Sequence, residues 1–221
     1  MPWAKVKTDE FFTKNGQFVK MKGLFAAVNI PKFTIIGNYN GDLITEYEYS
    51  EMAAEINKNT TMTGTEYGIE HAILKDPQNR PLIIFPVDVQ TGKIADKYKN
   101  VIALYANEPT TYRKTKHGRL LEMTENAFLV VNYDTTSMSL MSNRKINKGD
   151  RISWCYGSVY DRRGYKPNCP KPTSWVYMFR GNIIQMPKVI SSKNKPRVLK
   201  RNKQSPVTFK WDTDNWLEIY K

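Results

Sequence analysis

Gly23-Leu24-Phe25-Ala26-Ala27-Val28-Asn29-Ile30-Pro31-Lys32-Phe33-Thr34-Ile35-Ile36-Gly37-Asn38-Tyr39-Asn40-Gly41-Asp42-Leu43-Ile44-Thr45 is the most strongly patterned stretch of the chain. Two apolar runs of strand length, 23–28 and 33–39, flank Asn29-Ile30-Pro31-Lys32, and Asn40-Gly41 follows as a turn dipeptide, so two strands are predicted. Directly after it, Thr45 and Glu48 form a capping-box pair. Tyr49, Met52, Ala53 and Ile56 then recur at helical spacing, predicting an amphipathic helix over about 46–58. Further along, Leu82–Val87 and Ala127–Val131 are apolar runs of strand length, Arg151–Tyr156 alternates polar with larger groups, and 59–81 is polar and turn-rich. The pattern is mostly β with few helices.

The composition supports a folded chain. Of 221 residues, 40% are hydrophobic and 12% aromatic, enough apolar surface for a real core. No apolar run approaches the roughly 18 residues of a membrane span, and Met1-Pro2-Trp3-Ala4-Lys5 lacks a signal-peptide stretch, so a soluble, intracellular protein without membrane contact is expected. Cys155 and Cys169 are the two cysteines and His71 and His117 the two histidines, in no metal-ligand spacing, and no metal is expected. G-x-S-x-G, G-x-x-x-x-G-K-[ST] and G-x-G-x-x-G do not occur, which disfavours hydrolase, phosphate-loop and dinucleotide-binding readings.

The net charge of +13 is uneven. Lys188, Lys193, Lys195, Arg197, Lys200, Arg201 and Lys203 lie in 187–203 with no acidic residue among them, a basic extension. Arg113, Lys114, Lys116, His117 and Arg119 form a smaller cluster of loop-like composition. Either is a solvated loop or a contact for an acidic partner or a phosphate backbone.

Four segments in order resemble the SET-domain protein lysine methyltransferases. The stretch 23–45 is similar to that family's G-L-F-A-A-x-x-I-P-K-G-x-x-I-G-E-Y-x-G-E-x-I-T, with Phe33 at the turn glycine. Asn100–Pro109 and then Glu125-Asn126-Ala127 are similar to N-x-A-R-F-I-N-H-S-C-x-P-N-A, with Leu104 at the Arg and Glu108 at the His. Ile146–Gly157 resembles I-x-x-G-E-E-L-x-x-x-Y-G. The resemblance implies a SET-domain, β-clip-like fold with a pseudoknot-like C-terminal crossing. It would be a compact stand-alone member with the SET domain over 1–165, an insert at about 46–85, and a C-terminal segment 166–221 that closes the substrate channel and carries the basic extension.

The function so implied is methyl transfer from S-adenosyl-L-methionine to a lysine, of a histone or another basic chromatin protein, which places the chain at chromatin in the nucleus. A lysine amine has a pKa of about 10.4, so presenting it neutral near pH 7.4 opposes about 4 kcal/mol. An aromatic, water-poor channel beside a sulfonium cation lowers that barrier by desolvation and like-charge repulsion. By resemblance Tyr156 is the catalytic tyrosine. Lys22, Gly23, Leu24, Tyr105, Asn107 and Glu108 would bind the cofactor, with Gly23 permitting close backbone approach. Tyr67, Trp154 and Trp175 would line the substrate channel, Trp154 at the position that tunes the number of methyls. Tyr177, Phe179, Trp211 and Trp216 are further aromatics for closing it. Asn126 would tie two loops together, and the zinc-binding cysteines that often follow the domain are missing, with Cys169 alone in Asn168-Cys169-Pro170.

Two other readings stay open. One is a SET-like binding or structural module without chemistry, supported by Leu104 and Glu108. The other is a nucleic-acid-binding protein working through residues 188–203, whose affinity would fall steeply with salt. A homo-oligomer is compatible with all three.

Overall fold

The computed structural model describes residues 2–12, 18–59, 67–109, 112–114, 120–122, 124–156, 169, 174–187, 197–204, 208–211 and 217–220. In chain order the elements are β1 (Ala4–Phe12), β2 (Phe18–Ala26), β3 (Ile35–Asn38), β4 (Asp42–Ile44), α1 (Glu46–Asn59), β5 (Ile69–Lys75), β6 (Pro81–Phe85), β7 (Val87–Asp88) and β8 (Lys93–Ile94). Then come β9 (Tyr112–Lys114), β10 (Leu120–Glu122), β11 (Ala127–Asn132), β12 (Met138–Ser142), β13 (Ser174–Phe179), β14 (Asn182–Pro187), β15 (Arg197–Lys200), β16 (Thr208–Trp211) and β17 (Leu217–Tyr220). Short 3-10 turns occupy Asp96–Tyr98 and Ile102–Tyr105.

The chain folds into several small sheets, as the many short apolar runs separated by turn residues require. One sheet has the order β10-β9-β1-β2, another β15-β14-β13-β11-β12-β3, and a third β4-β6-β5. Leu24, Ile30, Leu140, Ile146 and Ile152 are fully buried where the first two sheets meet, with Leu104 and Trp154 beside them. A second cluster forms where α1 lays Ile56 against Ile44, Ile83, Phe85 and Val87. The helix starts where the capping box places it, for Glu48 N–H donates to Thr45 Oγ1 at 3.2 Å and Thr45 N–H to Glu48 Oε2 at 2.7 Å.

The two strands expected in 23–39 form but do not pair with each other. The first begins earlier, at Phe18, and pairs along its whole length with β1; the second pairs with β12. Between them Ile30 exchanges both main-chain hydrogen bonds with Ile146, at 2.8 and 2.9 Å, which brings the two motif segments side by side. Arg151–Tyr156 is not a strand beyond a single bridge to Phe25. Its hydrogen bonds are divided between main-chain groups of β2 and of the segment before β11 and the side chains of Asn126 and Glu108, because it runs between the two. Within the polar stretch 59–81, β5 forms on β6.

The sheet does not stop at residue 165. β13 joins β11 in parallel, β14 and β15 follow antiparallel, and Ile183 with Leu199 packs on Val130 and Met141. Part of the basic extension is therefore an edge strand, with Arg197 and Lys200 exposed and Val198 and Leu199 half-buried. Charged residues on an outermost strand discourage edge-to-edge pairing. Residues 188–196 lie outside the described part, as do 115–119 of the smaller basic cluster, whose flanks form the β9–β10 hairpin.

Candidate active site

Three segments converge at the ends of β2 and the 3-10 turn 102–105. The first is Lys22-Gly23-Leu24 in β2. Leu24 is fully buried, and its carbonyl accepts the Ile152 N–H at 2.8 Å, which lays the third segment along the first. Gly23 has a reason that the sequence does not reveal. A Cβ there would come within 2.8 Å of Asp9 Cβ and 3.0 Å of Asp9 Oδ2, so the close approach is by the carboxylate of β1. That carboxylate forms a buried ion pair, Asp9 Oδ2 to Arg151 Nε at 2.8 Å. Burial first of all lowers the Arg151 pKa, with Asp9 and then Tyr156 opposing.

The second segment is 104–108. Asn107 Nδ2 donates to the Lys22 carbonyl at 2.9 Å, and the Lys22 ammonium stands 5.6 Å from the centroid of the Tyr105 ring. Leu104 is buried in the core. Glu108 is 2% exposed and its carboxylate is turned inward: Oε1 accepts the Tyr156 N–H at 2.8 Å, while the Glu108 carbonyl accepts from Arg151 Nη2 at 3.4 Å. The Glu108 side chain is thereby engaged with the main chain of Tyr156.

The third segment is 151–156, fixed from below by Asn126. Its Nδ2 donates to the Arg151 carbonyl at 2.8 Å and its Oδ1 accepts the Ser153 N–H at 2.9 Å, while its own N–H goes to the Ser153 carbonyl at 3.0 Å. Glu125, the residue before Asn126, has its carboxyl pKa raised, burial outweighing the opposing influence of the Cys155 backbone and the Arg144 charge. Tyr156 then donates its hydroxyl to the Ala106 carbonyl at 3.1 Å.

An aromatic row leads away from Tyr156. Its ring is 4.8 Å from Trp154, Trp154 is edge-on to Tyr39 at 6.3 Å, and the Tyr39 hydroxyl donates to the Tyr67 carbonyl at 2.8 Å. Trp154 and Tyr39 are buried, and burial, followed by Tyr67, holds the Tyr39 phenol far above its ordinary range. Tyr67 packs partly on the second core cluster. Trp175 enters only through its backbone, paired with Met186 in β13, and its side chain lies outside the described residues. Tyr177 and Phe179 surround Tyr133 instead, with centroids 6.3 and 5.9 Å away. Trp211 contributes only backbone to the β16–β17 pair, and Trp216 lies outside the described residues.

Sequence reasoning missed Tyr39, Glu125, the Asp9–Arg151 pair and a disulfide between Cys155 and Cys169, 14 residues apart. Only the last had a signal, since these are the only two cysteines of the chain. Cys169 is thus paired rather than alone, and the bridge ties the residue before Tyr156 to the C-terminal segment. Among the described residues no cluster of three or more His, Cys, Asp or Glu is placed to hold a metal.

S-adenosylmethionine carries an α-ammonium, an α-carboxylate, a sulfonium and an adenine. Lys22 offers a cation, Asn107 an amide oxygen directed away from the Lys22 carbonyl, and Tyr105 and Tyr156 aromatic rings, so the chemistry of the donor set fits such a group. The SET-domain family model matches residues 21–157. The methyltransferase domain of human PR domain-containing protein 2 is similar in structure with a TM-score of 0.38 at 13% identity, covering 74% of this chain and 82% of that one, a likeness too low to bear on function. No curated protein matches the chain significantly.

Proposed function

Because the chain belongs to the SET-domain family, whose members are generally S-adenosylmethionine-dependent lysine methyltransferases, we propose that it methylates a lysine side chain of a basic protein, a histone above all. The observation that supports this most is the placement of Tyr156. Its hydroxyl donates to Ala106, the residue before the Asn107 that bonds to Lys22, and its ring packs on Trp154 of the Trp154–Tyr39 row.

Lys22 and Asn107 would hold the amino-acid end of S-adenosylmethionine, and Tyr105 would pack beside it. When bound, that group supplies an electrophilic methyl on a sulfonium. The chain's own residues do the rest. Tyr156, its proton committed to Ala106, presents an oxygen that accepts, and the neighbouring carbonyl adds a second acceptor for weak C–H contacts. Trp154 and Tyr39 exclude water, which favours the neutral amine of an incoming lysine. The bulk of Trp154 against Tyr156 limits how many methyls the amine can carry.

The substrate is proposed to be chromatin rather than a free basic peptide, because a basic enzyme and a basic tail repel unless DNA phosphates lie nearby. Arg197, Lys200, Arg201 and Lys203 are exposed and would meet them. Incubation with labelled S-adenosylmethionine and either free histones or nucleosomes is expected to show transfer, greater on nucleosomes. Tyr156→Phe should lower the rate by about 10²–10³-fold without unfolding the protein. No transfer to any substrate, with no rise in melting temperature on adding S-adenosylhomocysteine, would falsify the reading.

A further inference from the structure

We propose that Glu108 and the Ala106 carbonyl bracket Tyr156 at its two ends and so set the position of its hydroxyl, with Glu108 as the positioning residue. The inference rests on the methyltransferase reading for the role of Tyr156, and on the hydrogen bonds alone for the bracket itself.

Beyond its single bridge to β2 the segment 151–156 has no strand ladder for its peptide groups, and buried N–H groups must be satisfied somewhere. Here the Tyr156 N–H goes to a carboxylate, Glu108 Oε1, at 2.8 Å. The far end of the same tyrosine is bonded to the Ala106 carbonyl at 3.1 Å. Residues 106–108 therefore hold Tyr156 at both ends, backbone and phenol.

Segment 106–108 is itself anchored. Arg151 Nη2 reaches the Glu108 carbonyl at 3.4 Å, and Arg151 is fixed by the buried Asp9 carboxylate. Cys169 Sγ lies 3.7 Å from Glu108 Oε1, and as half of the disulfide it has no proton to give, so it confines the carboxylate by contact. A charge-assisted bond to a confined carboxylate is shorter and more directional than a peptide–peptide bond. Small changes at the Tyr156 nitrogen are magnified at its oxygen, and a misplacement of about 1 Å at a reacting group costs on the order of 10²-fold in rate.

The test compares Glu108→Ala with Glu108→Gln, which keeps a carbonyl acceptor. Glu108→Ala is expected to lower kcat by about 10²-fold while the KM for S-adenosylmethionine stays within about threefold, and Glu108→Gln to retain most of kcat. Amide hydrogen exchange is read in parallel: the Tyr156 amide should exchange faster in Glu108→Ala and as slowly as wild type in Glu108→Gln. Unchanged Tyr156 protection in Glu108→Ala, equal kcat losses in both variants, or a loss confined to KM overturns the proposal. If the wild type transfers no methyl group, the function reading falls and the exchange data still decide the bracket. Should Glu108→Ala lose its cooperative melting transition, Glu108→Asp, whose shorter side chain withdraws the carboxylate from the Tyr156 N–H, takes its place with the same readouts and the same two outcomes.

Discussion

Phe33 holds a backbone conformation, φ of 60°, that the family pattern assigns to glycine. A bulky side chain in the left-handed region costs about 1–2 kcal/mol. The ring returns part of that, for it packs beside Val130, Met141 and Ile183 and lies 4.7 Å from the Lys32 ammonium. Truncation should separate the two effects. Both Phe33→Gly and Phe33→Ala lose the ring, but only glycine also relieves the strain, so Phe33→Gly should be the more stable of the two by about 1 kcal/mol, and both less stable than wild type. Urea unfolding of the three proteins measures this, and an alanine variant as stable as the glycine variant would show that the backbone stores no strain. Gly23 is the opposite case, a glycine at which an added Cβ would meet Asp9.

Elements whose hydrogen bonds are local were legible in the sequence, and those whose partners are distant were not. The helix was readable because Thr45 and Glu48 satisfy its first turn within four residues. The segment Arg151–Tyr156 looks like a strand because its side chains alternate, yet Asn126 and Glu108, 25 to 48 residues away in sequence, take several of its peptide groups. Motif spacing names candidate positions for the site, whereas the Tyr39–Trp154 contact and the Glu108–Tyr156 bond depend on which segments become neighbours. Strand β5 was hidden in a polar stretch and is tied across the molecule by His71. That imidazole donates from Nε2 to the Thr136 carbonyl at 2.6 Å and accepts the Leu74 N–H at Nδ1 at 2.9 Å, which fixes the neutral tautomer. Burial lowers its pKa, outweighing the Thr136 bond. The stability this contributes is complete above the ordinary histidine value of about 6.5 and is lost as pH falls below it, because only the unfolded chain then takes up the proton. The melting temperature should drop between about pH 7.5 and 5.5, and His71→Phe should flatten that slope. Glu125, with its raised pKa, contributes in the opposite sense nearer the carboxylate range, which the His71 comparison leaves unchanged.

At the scale of the whole molecule, one sheet spans the chain from Ile35 to Lys200, so the C-terminal segment completes the body rather than trailing from it. The Cys155–Cys169 bridge fastens that segment next to Tyr156. Closing a loop of this length stabilises by about 3 kcal/mol in the chain-entropy model. Reduction with a dithiol, which takes two electrons and two protons into two thiols, should lower the melting temperature by roughly 6–12 °C. Cys169→Ser should melt at the reduced temperature with or without reductant, and a wild type indifferent to reductant would refute the stabilising role. Persistent disulfides are rare where thiols are kept reduced, so the bridge would not persist in a reducing nucleus. Timing follows from the other long-range link. Asp9 leaves the ribosome about 140 residues ahead of Arg151, which at synthesis rates of roughly 5–20 residues per second is a wait of roughly 7–28 s. Throughout that interval the β1–β2 hairpin carries a carboxylate whose burial has no countercharge, and the nascent chain must keep it in water until Arg151 emerges.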